Sequence, residues 1–168
     1  MKRVRYWSAR NARWLRSAYQ ALERLLVALH PIFKRLGYQR LDRAFAAIEK
    51  MVKGFLFDSQ SCGQCTLGET GMACPMNCPK TLRNGPCGGV RSNGHCEVDA
   101  TMVCVWVTSW EGSKRVGDLE STIQVIQAPV DVRLKGTSAW LRAVRKKLGN
   151  SDWIEAVRGV GFRLESPE

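Results

Sequence analysis

CGQCTLGETGMACPMNCPKTLRNGPCGGVRSNGHCEVDATMVC, running from Cys62 to Cys104, holds all seven cysteines of the 168-residue chain. The stretch is rich in glycine and proline and poor in residues that build an ordinary core. Clustering of this density argues against buried cysteines acting merely as small hydrophobes. A disulfide framework would leave one of the seven thiols over. No apolar run is followed by a small-residue cleavage site. A reducing, cytoplasmic setting is therefore expected, where dense cysteine points to metal.

The spacing is C-x2-C-x8-C-x3-C-x8-C-x8-C-x7-C. Cys62 and Cys65 flank Gly63 and can face one ion from a single turn. Cys74 and Cys78 form a second close pair, each followed by proline, which fixes φ and removes an N–H that would need a partner. Proline after a ligand cysteine is also familiar in iron–sulfur proteins. Glycines beside Cys87 let backbone N–H groups approach sulfur closely. Cys62, Cys65, Cys74, Cys78, Cys87, Cys96 and Cys104 are the candidate metal ligands. Zinc takes four thiolates and would be structural; a [4Fe–4S] cluster also takes four and could carry electrons. The Cys-Pro steps and glycine-rich surroundings favour iron–sulfur, in one or two clusters, with zinc as the alternative. His95, beside Cys96, could be a further ligand, although a lone loop histidine is more often a solvated side chain.

The flanks differ in charge. Residues 1–54 carry thirteen Lys/Arg against three Asp/Glu, whereas the other residues carry thirteen against twelve. Leu15, Ala18, Leu22, Leu25, Leu29 and Ile32 recur at helical spacing, which predicts a long amphipathic helix over 5–34, ended or kinked by Pro31. Leu41, Phe45, Ile48 and Val52 predict a second helix over 41–53. Trp7 and Trp14 lie one heptad apart; core packing is the default, and partner anchoring the second use. Beyond the cysteines, EGSKRVGD reads as a polar loop and STIQVIQAPVDVRL as two short strands broken at Pro129. TSAWLRAVRKKLGNSD reads as a helix capped by Thr137 or Ser138, and WIEAVRGVGFRLE as a strand pair. The fold class expected is α+β: a basic helical hairpin over 1–54, an irregular cysteine-rich metal-bound centre over 55–110, and a mixed extension over 111–168 with one helix and short strands.

Several functions are excluded or disfavoured. The chain is shorter than the ~250 residues of a typical (β/α)8 barrel. It lacks a GxGxxG turn, a GxxxxGK[ST] loop, paired carboxylates, and any apolar run of about 20 residues. It is expected to be non-catalytic by itself, with any flavin or nucleotide on another chain. The runner-up reading is a zinc-stabilised nucleic-acid-binding module that uses the basic helices for phosphate contacts.

FDSQSCGQCTLGETGMACPMNCPKTLRNGPCGG, with NGHCEV and CVW beyond it, resembles the cysteine-rich C-terminal domain associated with methylenetetrahydrofolate reductase. APVDVRLKGTSAWL is similar to the segment that follows in that family, so the resemblance spans roughly 55–141. It implies a metal-containing accessory subunit in folate one-carbon metabolism, in a hetero-oligomer with a flavin-containing catalytic subunit. It implies the same seven metal-ligand cysteines. Relatives often have a further cysteine three residues before the Cys-Gly-x-Cys pair, where this chain has Ser59. That departure bears on the number of metal sites. LRAVRKKLGNSDWIEAVRGVGFRLE also resembles the recognition helix and wing of a winged-helix regulator. The strands and first two helices of that fold are missing upstream, and nucleic acid is the disfavoured partner.

Overall fold

The computed structural model describes residues 2–117, 127–148, 154–157 and 161–164, the last two segments as backbone only. Four helices precede the cysteines where two were expected: α1 (Lys2–Arg10), α2 (Ala12–Ala28), α3 (His30–Leu36) and α4 (Tyr38–Phe57). The first break falls at Asn11, whose Nδ2 donates to the Trp7 carbonyl at 2.9 Å, the carbonyl that its own backbone N–H also uses. A side chain that competes for a helical carbonyl loosens the turn. The second break follows from Pro31, which has no N–H to offer the Val27 carbonyl and sits in the first turn of α3. Gly37, at φ +86°, makes the joint to α4 in a conformation that other residues resist.

The buried face of α2 is rotated slightly from the expected one. Leu15 is buried, but Ala18, Leu25 and Ile32 are exposed, and the inward line runs through Ala12, Leu15, Tyr19, Leu22, Leu26 and Phe33. Two aromatic rings and their partners draw it round. Tyr19 accepts a hydrogen bond from Trp140 Nε1 at 3.1 Å, and Phe33 packs edge-on against Phe45. Trp7 and Trp14 are 47 % and 67 % exposed, so neither belongs to the core.

The core has two main parts. One joins Ala12, Leu15 and Phe57 to Leu67, Met72 and Cys74, so the first helices close over the start of the cysteine segment. The other joins Leu26 and Phe33 to Trp140, Leu141 and Val144 of α6 (Ala139–Lys147). Ser138 caps α6, its Oγ accepting from Leu141 N–H at 3.2 Å, in keeping with one of the two caps expected.

The α+β class is corrected: the fold is helical. EGSKRVGD is mostly helix, the second half of α5 (Val105–Val116). Ser109 and Ser113 are almost wholly buried on α5, and a Cβ on Gly112 would sit 2.1 Å from the Gly71 carbonyl oxygen. Small residues there let the helix backbone lie against the loop, and that packing holds a polar sequence helical. Of the two strands expected in STIQVIQAPVDVRL, residues 118–126 lie outside the described residues, and 127–134 form no strand. That segment is pinned by side chains instead. Gln64 Oε1 accepts from Asp131 N–H at 2.8 Å, and Asp131 caps a 3-10 turn over Val132–Leu134. Among the described residues the only strands are a terminal antiparallel hairpin, β1 (Ile154–Val157) with β2 (Gly161–Leu164), Ile154 opposite Leu164. It is too small to set the class.

Candidate metal centre

All seven cysteines are free thiols. They divide between two cavities, and the division does not follow the sequence spacing. Cys62, Cys65 and Cys74 line one cavity, beneath α4. Cys78, Cys87, Cys96 and Cys104 line the other, at the start of α5. The CPMNC pair is thus split. A 3-10 turn, Pro75–Asn77, separates its two thiols, with extended backbone at Cys74 and Cys78 on either side.

The first cavity is built from the end of α4. Asp58 closes that helix in the left-handed conformation (φ +52°), where Arg5 Nε holds its carboxylate at 2.7 Å. The Ser59 N–H then turns back to the Lys53 carbonyl at 3.2 Å, which sets Ser59 on the cavity wall. The Gly63 turn is clasped by Arg142, whose guanidinium donates to the Gly63 carbonyl at 2.6 Å, and by Gly136 N–H bonded to the Ser61 carbonyl at 3.1 Å. The second cavity is closed by backbone pairing. Cys96 N–H reaches the Met102 carbonyl and Cys104 N–H the Gly94 carbonyl, each at 2.9 Å. Lys80 pairs with Glu97 at its edge, and Cys87 faces the same carboxylate at 3.4 Å. α1 ties the two halves together. Arg5 also contacts Met102 Sδ at 3.2 Å, and Tyr6 Oη accepts from Val103 N–H at 3.1 Å.

Beside the first cavity lies a buried charged network that the sequence reading did not single out. Lys53 and Glu49, one helical turn apart on α4, are paired at 2.5 Å with side chains only 3 % and 9 % exposed. Glu49 also accepts from Ser138 Oγ at 2.9 Å and from Trp140 N–H at 3.2 Å. Tyr19 Oη lies 3.7 Å from Cys65 Sγ, and burial together with the nearby Cys65 pushes its phenol pKa up. Burial alone would lower the Lys53 pKa, but Cys65 and Glu49 outweigh it and hold the ammonium above its usual range. Arg83 approaches Cys62 Sγ at 4.0 Å. In sequence a Glu-Lys pair four apart reads as a solvated helix face; only burial by Trp140 and Tyr19 makes it otherwise.

Three features bear on metal. Four thiols on one cavity are the donor set that zinc or a four-iron cluster takes. Asn77 Nδ2 and Arg83 Nε are buried donors without a partner among the described residues, and donors of this kind suit sulfur acceptors. Buried Lys53 would offset the negative charge of bound thiolates. No three Cys, His, Asp or Glu side chains among the described residues converge on one ion. Cys62, for one, turns to the Gln64 carbonyl at 3.5 Å. His95 lines neither cavity; its Nδ1–H donates to the Ala100 carbonyl at 2.7 Å.

Fold and site together define a helix-clad, cysteine-rich domain with its thiols gathered at two cavities. The methylene-tetrahydrofolate reductase C-terminal family model matches residues 38–133, and the chain belongs to that family. The match begins at α4 rather than near residue 55, which accords with Lys53 and Phe57 packing on the cysteine segment, and it stops short of Thr137–Leu141. No curated protein and no solved structure matches the chain. No described helix is long and apolar enough to cross a membrane.

Proposed function

We propose that this chain is an accessory subunit of a methylenetetrahydrofolate reductase-like enzyme in the cytoplasm, and that its cysteines hold iron–sulfur clusters. The observation that carries the reading is the gathering of seven unpaired thiols at two cavities, in a chain of that family. Bound there, a cluster would supply one-electron transfer, which the side chains of this protein cannot perform by themselves. The chain's own part is electrostatic and steric. Lys53 and Arg83 place positive charge beside Cys65 and Cys62. Leu67, Met76 and Ala139 on one wall, and Val105 and Trp106 on the other, limit water.

Hydride transfer to folate then belongs to a flavin-containing catalytic partner. The basic helices supply the docking surface for it, with Arg10, Arg13 and exposed Trp14 around one shallow groove. Trp and Arg are the residues that most often anchor interfaces. The test is anaerobic purification of the chain, alone and co-expressed with a flavin-containing reductase subunit, followed by iron, zinc and acid-labile sulfide analysis. Brown protein containing iron and sulfide, and co-purifying with the flavoprotein, is the expected result. Colourless protein containing zinc alone refutes the redox role. Folded protein free of both metals refutes metal binding altogether.

A further inference from the structure

The two cavities are unequal in sulfur. The second has four thiols on its wall, and the first has three, with Ser59, Ser61 and Thr66 as the nearby hydroxyls. No eighth cysteine exists in the chain to complete the first. We infer that the chain holds two unlike metal centres: a closed one on Cys78, Cys87, Cys96 and Cys104, and an open-cornered one on Cys62, Cys65 and Cys74 whose fourth position is taken by oxygen, from Ser59 or from water. The inference rests on the metal-binding reading above and adds to it the division of ligands and the identity of the odd corner.

Ser59 is the hydroxyl best placed for that corner. It continues the three-residue step of Cys62 and Cys65, and the end of α4 fixes it: Asp58 is left-handed and held by Arg5, and Ser59 N–H is bound to the Lys53 carbonyl. Among the described residues its Oγ has only a long contact, from Ser61 N–H at 3.4 Å. An oxygen-ligated iron is held more weakly than one on thiolate, since thiolate is the ligand that iron–sulfur clusters ordinarily take. The open corner is therefore where iron leaves first on oxidation. Ferricyanide takes one electron, and [4Fe–4S]2+ becomes [3Fe–4S]+ with release of one Fe2+. The closed centre keeps its four irons.

The experiment uses the anaerobically purified full-length chain, co-expressed with its flavoprotein. Iron is counted and the three-iron species is quantified by electron paramagnetic resonance before and after ferricyanide. The wild type is expected to start with about eight irons per chain, in two four-iron clusters, and to yield about one three-iron cluster and one released iron. Ser59→Cys should suppress both by about tenfold. In Ser59→Ala, unchanged conversion assigns the corner to water, and faster conversion assigns it to the serine; either supports an oxygen corner. Wild-type protein with two clusters that both resist ferricyanide, or both convert, overturns the inference while leaving the cluster reading intact. So does Ser59→Cys protein that converts as the wild type does. Should Ser59→Cys fail to fold, the wild-type stoichiometry decides alone. Iron-free protein overturns the earlier reading itself.

Discussion

Replacing Glu49 by alanine isolates the buried pair that links α4, α6 and the first thiol cavity. The carboxylate serves the Lys53 ammonium at 2.5 Å, the Ser138 hydroxyl at 2.9 Å and the Trp140 N–H at 3.2 Å. Its removal strands a cation whose side chain is 3 % exposed, 5.0 Å from the centroid of the Trp140 ring. Breaking a buried pair from one side costs about 3–5 kcal/mol. The two orphaned donors could add about 1–3 kcal/mol each. Alanine leaves space that water can enter and so relieve part of this, which brings the expected loss to about 4 kcal/mol. Domains are stable by only about 5–15 kcal/mol, so the change is large. Glu49→Gln keeps an acceptor for Ser138 and Trp140 and isolates the charge contribution. Glu49→Ala/Lys53→Met removes the stranded cation and should recover most of the loss. Anaerobic urea denaturation at neutral pH, followed by far-ultraviolet circular dichroism, measures all three variants. A loss below about 1 kcal/mol in Glu49→Ala, or a double variant no more stable than the single, would show that Lys53 does not depend on this carboxylate.

Three further outcomes are expected. Gly112→Ala should cost about 1–3 kcal/mol in the same denaturation assay, because the new methyl meets the Gly71 backbone rather than a yielding side chain. Ser138→Ala should cost about 1–2 kcal/mol and lower helicity, since it removes the α6 cap and a donor to Glu49 together; Ser138→Thr should retain most of both. Hydrogen bonds from the Arg133 side chain and backbone hold the Asp131 carboxyl below its usual range. Its contribution to the Val132–Leu134 turn is therefore complete above the unfolded value of about 3.9 and is lost as pH falls through the folded one. A carbon-detected titration should place the Asp131 midpoint below that of a free aspartate, and Arg133→Ala should raise it only part of the way, since the backbone N–H at position 133 still donates to the carboxylate.

Much of the chain is legible without coordinates. The cysteine segment, the α6 cap at Ser138, the Pro31 break and membership of the family are all local signals, carried by a few adjacent residues and their backbone preferences. The fold class was less legible. STIQVIQAPVDVRL and EGSKRVGD are short, and whether such a piece is helix, turn or strand depends on what covers it. Gly71 beneath α5 and Gln64 reaching Asp131 decide that, and both partners lie far off in sequence. The buried face of α2 lies a fraction of a turn from the one its leucine spacing predicts, for the same reason. The line through Ala18, Leu25 and Ile32 and the line through Tyr19, Leu26 and Phe33 are equally periodic, and only Trp140 and Phe45 select between them.

By itself the sequence determined that thiols dominate the middle of this protein, that basic helices flank them, and which family they mark, because residue type and spacing act over a few bonds. Tertiary structure alone decided which thiols share a cavity. Cys74 and Cys78 are four positions apart yet face different cavities, whereas Cys78 and Cys104, far apart in the chain, face the same one. Loop closure by α1 and α5 sets those distances, and the burial of Glu49 with Lys53 turns an ordinary surface pair into the charged wall of the site.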